Sequence, residues 1–180
     1  MGRRPLIAAG RALLLIVLAV ALQVLIISRV SVLGVTADIF LIFTVVVAIS
    51  RGSMHGAIFG FVVGLMADMA FMETLGLRSL IYVLTGYFVG MVVLRFTMIN
   101  AWGVLLLAGG ASFVAQFLYG LAQYVMGPRG GFLTMLVTQI LPEMVLDALI
   151  TVPVYLLLAR LRVIPAPRPE TGMVGSGAAE

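Results

Sequence analysis

The sequence predicts an all-α, polytopic membrane protein with six transmembrane helices. Three observations carry that expectation. Of 180 residues, 63% are hydrophobic and only 10% are charged, and mean hydropathy is +1.23. A soluble domain carries about 25% charged residues, so this chain has too little polar surface to cover a globule in water, and lipid must be its solvent. Its apolar runs lie near the ~20 residues that cross a bilayer. Its arginines stand singly at the ends of those runs.

The first span is expected at about 12–28, after Arg3, Arg4 and Arg11. Its apolar core is longer than the ~7–15 residues of a signal peptide, and no small-x-small cleavage site follows, so it reads as an uncleaved helix. The second is expected at 32–50. Asp38 either lies roughly 9 Å inside a helix that begins at Val32, or caps a helix that begins near Thr36. The latter leaves this span short and discontinuous. The third, at 53–72, and the fourth, at 77–94, carry glycines at helical spacing. The fifth covers 101–126 and the sixth 136–159. Phe132–Leu141, closed by Pro142, either extends the sixth helix through a kink or lies at the interface. Pro153 should kink the same helix and free a carbonyl one turn earlier. Residues 1–162 thus form one transmembrane domain. Residues 163–180 (VIPAPRPETGMVGSGAAE) are rich in Pro, Gly and Ala and read as a disordered cytoplasmic tail.

Six spans put both ends on one side. Arg3, Arg4, Arg11, Arg51, Arg95, Arg160, Arg162 and Arg168 then share that side, against Arg29, Arg78 and Arg129 on the other. The positive-inside rule makes the first side the cytoplasm. The net charge of +4 comes from eleven arginines and no lysine. These are scattered, without the clustered charge and exposed aromatics of a nucleic-acid face.

Chemistry is bounded by what is missing. With no cysteine and one histidine, disulfides and thiolate zinc sites are excluded, and nitrogen ligands are too few for a usual transition-metal site. No metal or cofactor is expected. HExxH, GxSxG and Walker patterns do not occur. No spacing supports an aspartyl pair sharing a proton among Asp38, Asp68 and Asp147, so the reading is not an enzyme. "RPETG" at Arg168–Gly172 lacks the leading Leu and following apolar span of a sorting signal. His55 reads as an interfacial side chain, and Trp102, Tyr119 and Tyr124 as interface anchors or packing.

Two patterns remain. Gly52, Gly56, Gly60 and Gly64 recur every fourth residue and lead to Asp68, and Gly86 and Gly90 follow Tyr82 in the next helix. Glycine lets two helix backbones approach closely in lipid. The ridge therefore either packs the third helix on a neighbour or forms a groove for another protein's helix. The acids Asp38, Asp68, Glu73, Glu143 and Asp147 lie in or beside the outer halves of their helices. In the last helix Gln139, Glu143, Asp147, Thr151 and Tyr155 make a second ridge, which can meet the first at similar depth. A carboxylate at mid-membrane costs about 2.5–3.5 kcal/mol. Such an acidic layer has three readings: a structural one, paired with Arg29 or Arg78; a proton or solute path; or a partner-docking site.

Between Ala37 and Arg95 the order of features resembles the MreD family of rod shape-determining proteins. The features are Ala37-Asp38 (where the family usually has Pro-Asp), Arg51-Gly52, Gly64 to Asp68, Leu75-Gly76, Gly86-Tyr87 with Gly90, and Arg95. The resemblance implies a non-enzymatic scaffold in the bacterial inner membrane, part of the cell-elongation machinery that positions peptidoglycan synthesis. It implies a single-pass MreC-like partner and, more widely, RodA with its class B penicillin-binding protein and the MreB filament beneath. It also implies kinship in fold with the substrate-binding subunits of energy-coupling-factor transporters. The rival reading is a small-solute transport subunit that binds its ligand at the outer face. A scaffold is expected to fill its outer cavity with its own side chains, a transport subunit to keep an open pocket there.

Overall fold

A computed structural model describes residues 10, 14–22, 36–71, 76–95, 101–126 and 131–160, and every regular element among them is helical. These elements are α1 (residues 14–22), α2 (Ile39–Arg51), α3 (Ser53–Phe71), α4 (Leu77–Arg95), α5 (Ala101–Met126), α6 (Phe132–Met135), a π-helical turn (Leu136–Ile140) and α7 (Leu141–Arg160). Four described stretches are long and apolar enough to cross a membrane: Ser53–Ala70, Leu77–Arg95, Trp102–Met126 and Leu133–Arg160. Of the first expected span, 14–22 is described and is helical. The rest of that span, the tail from 163, and Arg29, Glu73 and Arg129 lie outside the described residues.

The second span differs from the longer of its two expected forms. Residues 36–38 are not helical and α2 begins at Ile39. Asp38 is the cause: its carboxylate accepts the Leu41 N–H at 3.1 Å, satisfying a donor that the first turn leaves free. The 13 residues of α2 rise only about 20 Å, less than the ~30 Å hydrocarbon core. With Phe, Ile, Val and Leu on all sides, α2 has no polar face. A helix apolar all round belongs in the middle, and every residue from Ile39 to Ile49 is buried. It packs against α3, α4, α5 and α7, and Leu15 and Ala19 of α1 join the same core.

Gly52 ends α2 and lends its backbone, not its open Cβ side, to the ridge. Its φ is +89° and nothing lies within 4 Å of where a Cβ would sit. Its N–H donates to the Ala48 carbonyl at 2.9 Å, and this left-handed conformation, open to glycine without strain, turns the chain straight into α3.

The other ridge glycines face α4, which runs antiparallel to α3. A Cβ on Gly56 would lie 2.8 Å from the Gly86 carbonyl oxygen, on Gly60 2.5 Å from that of Tyr82, and on Gly64 2.8 Å from the Ser79 nitrogen. From the α4 side, a Cβ on Gly90 would lie 2.6 Å from the Gly52 carbonyl carbon. These neighbours are backbone, so the α3 and α4 backbones touch along the ridge, and α2 closes it from the side, with Ala48 Cβ 2.6 Å from the Gly56 position. The Ser79 hydroxyl adds a bond to the Phe61 carbonyl at 3.1 Å. The ridge is therefore covered by the chain's own fourth helix, which corrects the alternative of a groove open to another protein.

Phe132–Leu141 extends the last helix. The helical path runs unbroken from Phe132 to Arg160 through the π turn, where the Leu141 N–H donates to the Leu136 carbonyl. Pro142 explains the local widening. It has no N–H to give the carbonyl four residues back, and its ring crowds that carbonyl in an α-turn. α7 packs along α5, with Gly109 facing Ala148.

Polarity is inverted relative to a soluble bundle. Asp38, Asp68, Asp147, Thr44 and Thr151 are buried, whereas Leu106, Leu133 and Trp102 are each more than 70% exposed. Hydrocarbon is the surrounding that makes both placements favourable.

Candidate functional site

The N-terminal ends of α2, α4 and α7 converge at one end of the bundle, opposite the arginines that close them, Arg51, Arg95 and Arg160. Asp38 is the centre of that convergence. One carboxylate oxygen caps α2; the other accepts the Tyr82 hydroxyl and Arg78 Nη1 at 3.3 Å. Its backbone N–H donates to Asp147 Oδ1 at 2.9 Å, and the Ser112 hydroxyl donates to Asp147 Oδ2 at 2.5 Å. Asp147 thus ties α7 to the start of α2 and to α5. Neither carboxylate is left bare, which is the condition for keeping such groups out of water.

Arg78 joins this centre to the glycine pair. Its guanidinium lies 4.4 Å from the Tyr119 ring centre, a cation–π contact from α4 to α5, and Nη1 also reaches the Tyr82 oxygen at 3.4 Å. Its backbone N–H donates to Asp68 Oδ1 at 3.1 Å, and the Gly76 N–H donates to Asp68 Oδ2 at 2.7 Å. Asp68 on α3 therefore caps α4 from the neighbouring helix, its charge set against the positive end of the α4 dipole. Arg78 and Asp38 connect the two polar ridges: the Arg78 main chain holds Asp68, its side chain holds Asp38, and the Asp38 N–H donates to Asp147. Glu143, near Asp38 and Asp147, accepts Gln116 Nε2 at 2.6 Å.

Beside this centre lies a cleft of about 270 Å³. Arg78, Tyr119, Gln116 and Glu143 form its inner wall, Thr36 one side, and the π turn contributes Gln139 and Ile140. Gln123 and Gln139 are exposed at its rim. The filled cavity expected of a scaffold, as against the open pocket expected of a transport subunit, is not met; the cleft is open.

Sequence reading missed the polar face of α5. Of the two readings of Tyr119, anchor or packing, the second holds: its ring packs beneath Arg78. Ser112, Gln116, Tyr119 and Gln123 stand at i, i+4, i+7 and i+11, one face of an otherwise apolar helix. That spacing was the available signal. Among the described residues no cluster of His, Cys, Asp or Glu could hold a metal ion.

The family model described as rod shape-determining protein MreD matches residues 6–162. The chain belongs to the MreD family. No curated protein and no solved structure matches it. Membership carries a role in rod shape determination, in association with the MreC and rod-shape complex in general. The apolar helices agree with a membrane location. In this MreD-family chain the closely packed α3 and α4 form one side of the bundle, and the polar cleft is its chemically distinct feature.

Proposed function

We propose that this MreD-family chain is a non-enzymatic membrane scaffold of the cell-elongation complex, and that it docks a single-pass MreC-like partner in the polar cleft. The observation that carries this reading is a network joining α2, α4, α5 and α7 beside an open cleft rimmed by amides. The inner wall is held by ion-pair, hydrogen-bond and cation–π contacts, so a partner segment meets a largely preformed surface there. Through that partner the scaffold connects to RodA, its class B penicillin-binding protein and the MreB filament. We place the chain in the bacterial inner membrane with six spans and both termini in the cytoplasm. The common end of α2, α4 and α7, marked by Arg51, Arg95 and Arg160, then faces the cytoplasm, and the cleft and the acids Asp38, Asp68, Glu143 and Asp147 face outward.

One observation favours a second reading. An open polar cavity also suits a small solute, as in a transport subunit of the energy-coupling-factor kind. Its ~270 Å³ falls just below the ~300–1,000 Å³ of usual ligand pockets, and the amide rim at Gln123 and Gln139 matches a peptide backbone equally well. The two readings separate on Gln139→Trp, which fills the exposed rim without touching the core. Docking requires that partner recovery in mild detergent fall at least tenfold while the variant stays in the membrane. Undiminished recovery, with loss of uptake of a solute, would replace the scaffold by the transport subunit.

A further inference from the structure

The seam between α4 and α5 is bridged near the acids, where the Arg78 guanidinium lies 4.4 Å from the Tyr119 ring centre. From Leu118 toward the arginine end, the same seam opens into an apolar groove of about 480 Å³. Leu84, Phe88 and Val92 line it from α4, and Leu106, Gly110, Val114 and Leu118 from α5. Each set recurs every fourth residue, one face of its helix. Among the described residues Thr85 is the one polar side chain in the lining, and its hydroxyl donates to the Ile81 carbonyl at 2.8 Å. Both faces continue beyond the groove. Arg95 follows Val92 by three residues and Trp102 precedes Leu106 by four. Both are exposed. Arg95 has no ion pair among the described residues, and Phe96 to Asn100, which follow it, include no acid.

We propose that this groove binds one anionic phospholipid of the leaflet at the arginine end, with an acyl chain between α4 and α5 and the phosphate on Arg95. Length selects the occupant. The α4 wall from Leu84 to Val92 rises about 12 Å and the α5 wall from Leu106 to Leu118 about 18 Å. These bracket the ~15 Å depth of one leaflet, half of the hydrocarbon core. A partner helix crosses both leaflets and would need a groove twice as long, which the Arg78–Tyr119 bridge interrupts. The 19 residues of α4 rise about 28 Å, close to the ~30 Å core, so Arg95 stands at headgroup level, as does the neighbouring Trp102. An acyl chain gains no hydrophobic energy by leaving bulk lipid, but it gains close contact with fixed walls. Preference among headgroups comes from the guanidinium, whose fork matches phosphate oxygens and favours a headgroup of net negative charge. The site needs only a membrane location, whichever leaflet holds the arginine end.

Native mass spectrometry of the full chain tests the site. The protein is released from micelles that hold equal amounts of phosphatidylglycerol and phosphatidylcholine with identical acyl chains. One lipid per chain should be retained, phosphatidylglycerol being preferred by about fivefold. Arg95→Gln should keep the retained lipid and lose the preference. Arg160→Gln, at the same end of the bundle but on a helix that does not line the groove, should leave the preference unchanged. Gly110→Phe fills the groove from its floor, where nothing lies within 4 Å of the Cβ position, and should abolish retention while the chain stays in the membrane. Val114→Trp fills the groove from its exposed wall and is read in its place if Gly110→Phe does not fold.

Retention undiminished in the filled variant, or a preference that survives Arg95→Gln, would overturn the inference. Equal loss of preference in Arg160→Gln would do the same, because the charge of the whole face and not the groove would then select the lipid. A groove that houses a partner's helix or a second copy of the chain gives a different pattern. The wild type would retain no lipid, and the filled variant would lose the partner or the dimer mass, which also refutes the lipid site.

Discussion

Replacing Gly60 with alanine tests the central packing claim with a single methyl group. The added Cβ would lie 2.5 Å from the Tyr82 carbonyl oxygen, 2.8 Å from its carbon and 3.0 Å from Thr44 Cγ2. Comfortable carbon contacts begin near ~3.5 Å, so α3 must withdraw from α4 by about 1 Å at this level. No side-chain rotation can relieve the clash, since the nearest atoms are backbone. Overpacking of this kind costs about 1–3 kcal/mol, and the upper end applies where two backbones are forced apart. Alanine returns about 1 kcal/mol through helix propensity, which leaves a net loss of about 2 kcal/mol. Gly110→Ala is the matched control, because nothing lies within 4 Å of its Cβ position. It keeps the propensity gain without the clash and should be neutral or stabilising by up to about 1 kcal/mol. The two variants should therefore differ by about 3 kcal/mol, a hundredfold in the unfolding equilibrium. Steric trapping in bicelles measures that equilibrium without leaving the lipid environment. Equal stability of the two would refute the claim that the ridge is a backbone contact, as would equal tolerance of Gly64→Leu and Leu65→Ile.

Asp38→Leu should cost about 2–3 kcal/mol in the same assay, because it leaves the partly buried Arg78 without its closest anion. Asp38→Leu with Arg78→Leu should recover part of the loss, and a double variant as unstable as the sum of the singles would show that the pair is not coupled. Asp68→Asn keeps one acceptor for the α4 N–H groups and should retain membrane levels with weakened partner recovery. Asp68→Leu leaves those donors unpaired and should lose a further ~1–2 kcal/mol; equal behaviour of the two on a stability gel would count against the cap. For topology, Gly131→Cys should react with an impermeant thiol reagent added outside the cell and His55→Cys should not, the reverse pattern refuting the proposed orientation.

What the sequence by itself determined was the solvent, the element type and the glycine contact. Composition alone calls for lipid, and runs near twenty residues leave the helix as the form that satisfies its own backbone there. The spacing that leads from Gly56 to Asp68 specifies a smooth helix face closed by an acid, since helical periodicity places every fourth residue on nearly one line. Which surface that face meets was not legible. A helix pattern lists what a face carries and not what lies opposite, and α4 rather than a foreign helix fills the ridge. The boundary of α2 was open for a related reason. Whether Asp38 sits within a helix or caps one depends on the partners of its two oxygens, and Tyr82 and Arg78 lie some forty residues away. Likewise, Pro142 announces a disturbance in the last helix, but only the path on both sides makes it a π turn rather than a break. The cleft is the most distant from the sequence of all. Its walls come from α4, α5, α7, the π turn and Thr36, so it exists only once those elements pack. Long-range polar contacts follow from which helices are neighbours, and in a chain whose faces are nearly all apolar, that choice is made by close packing rather than by pattern.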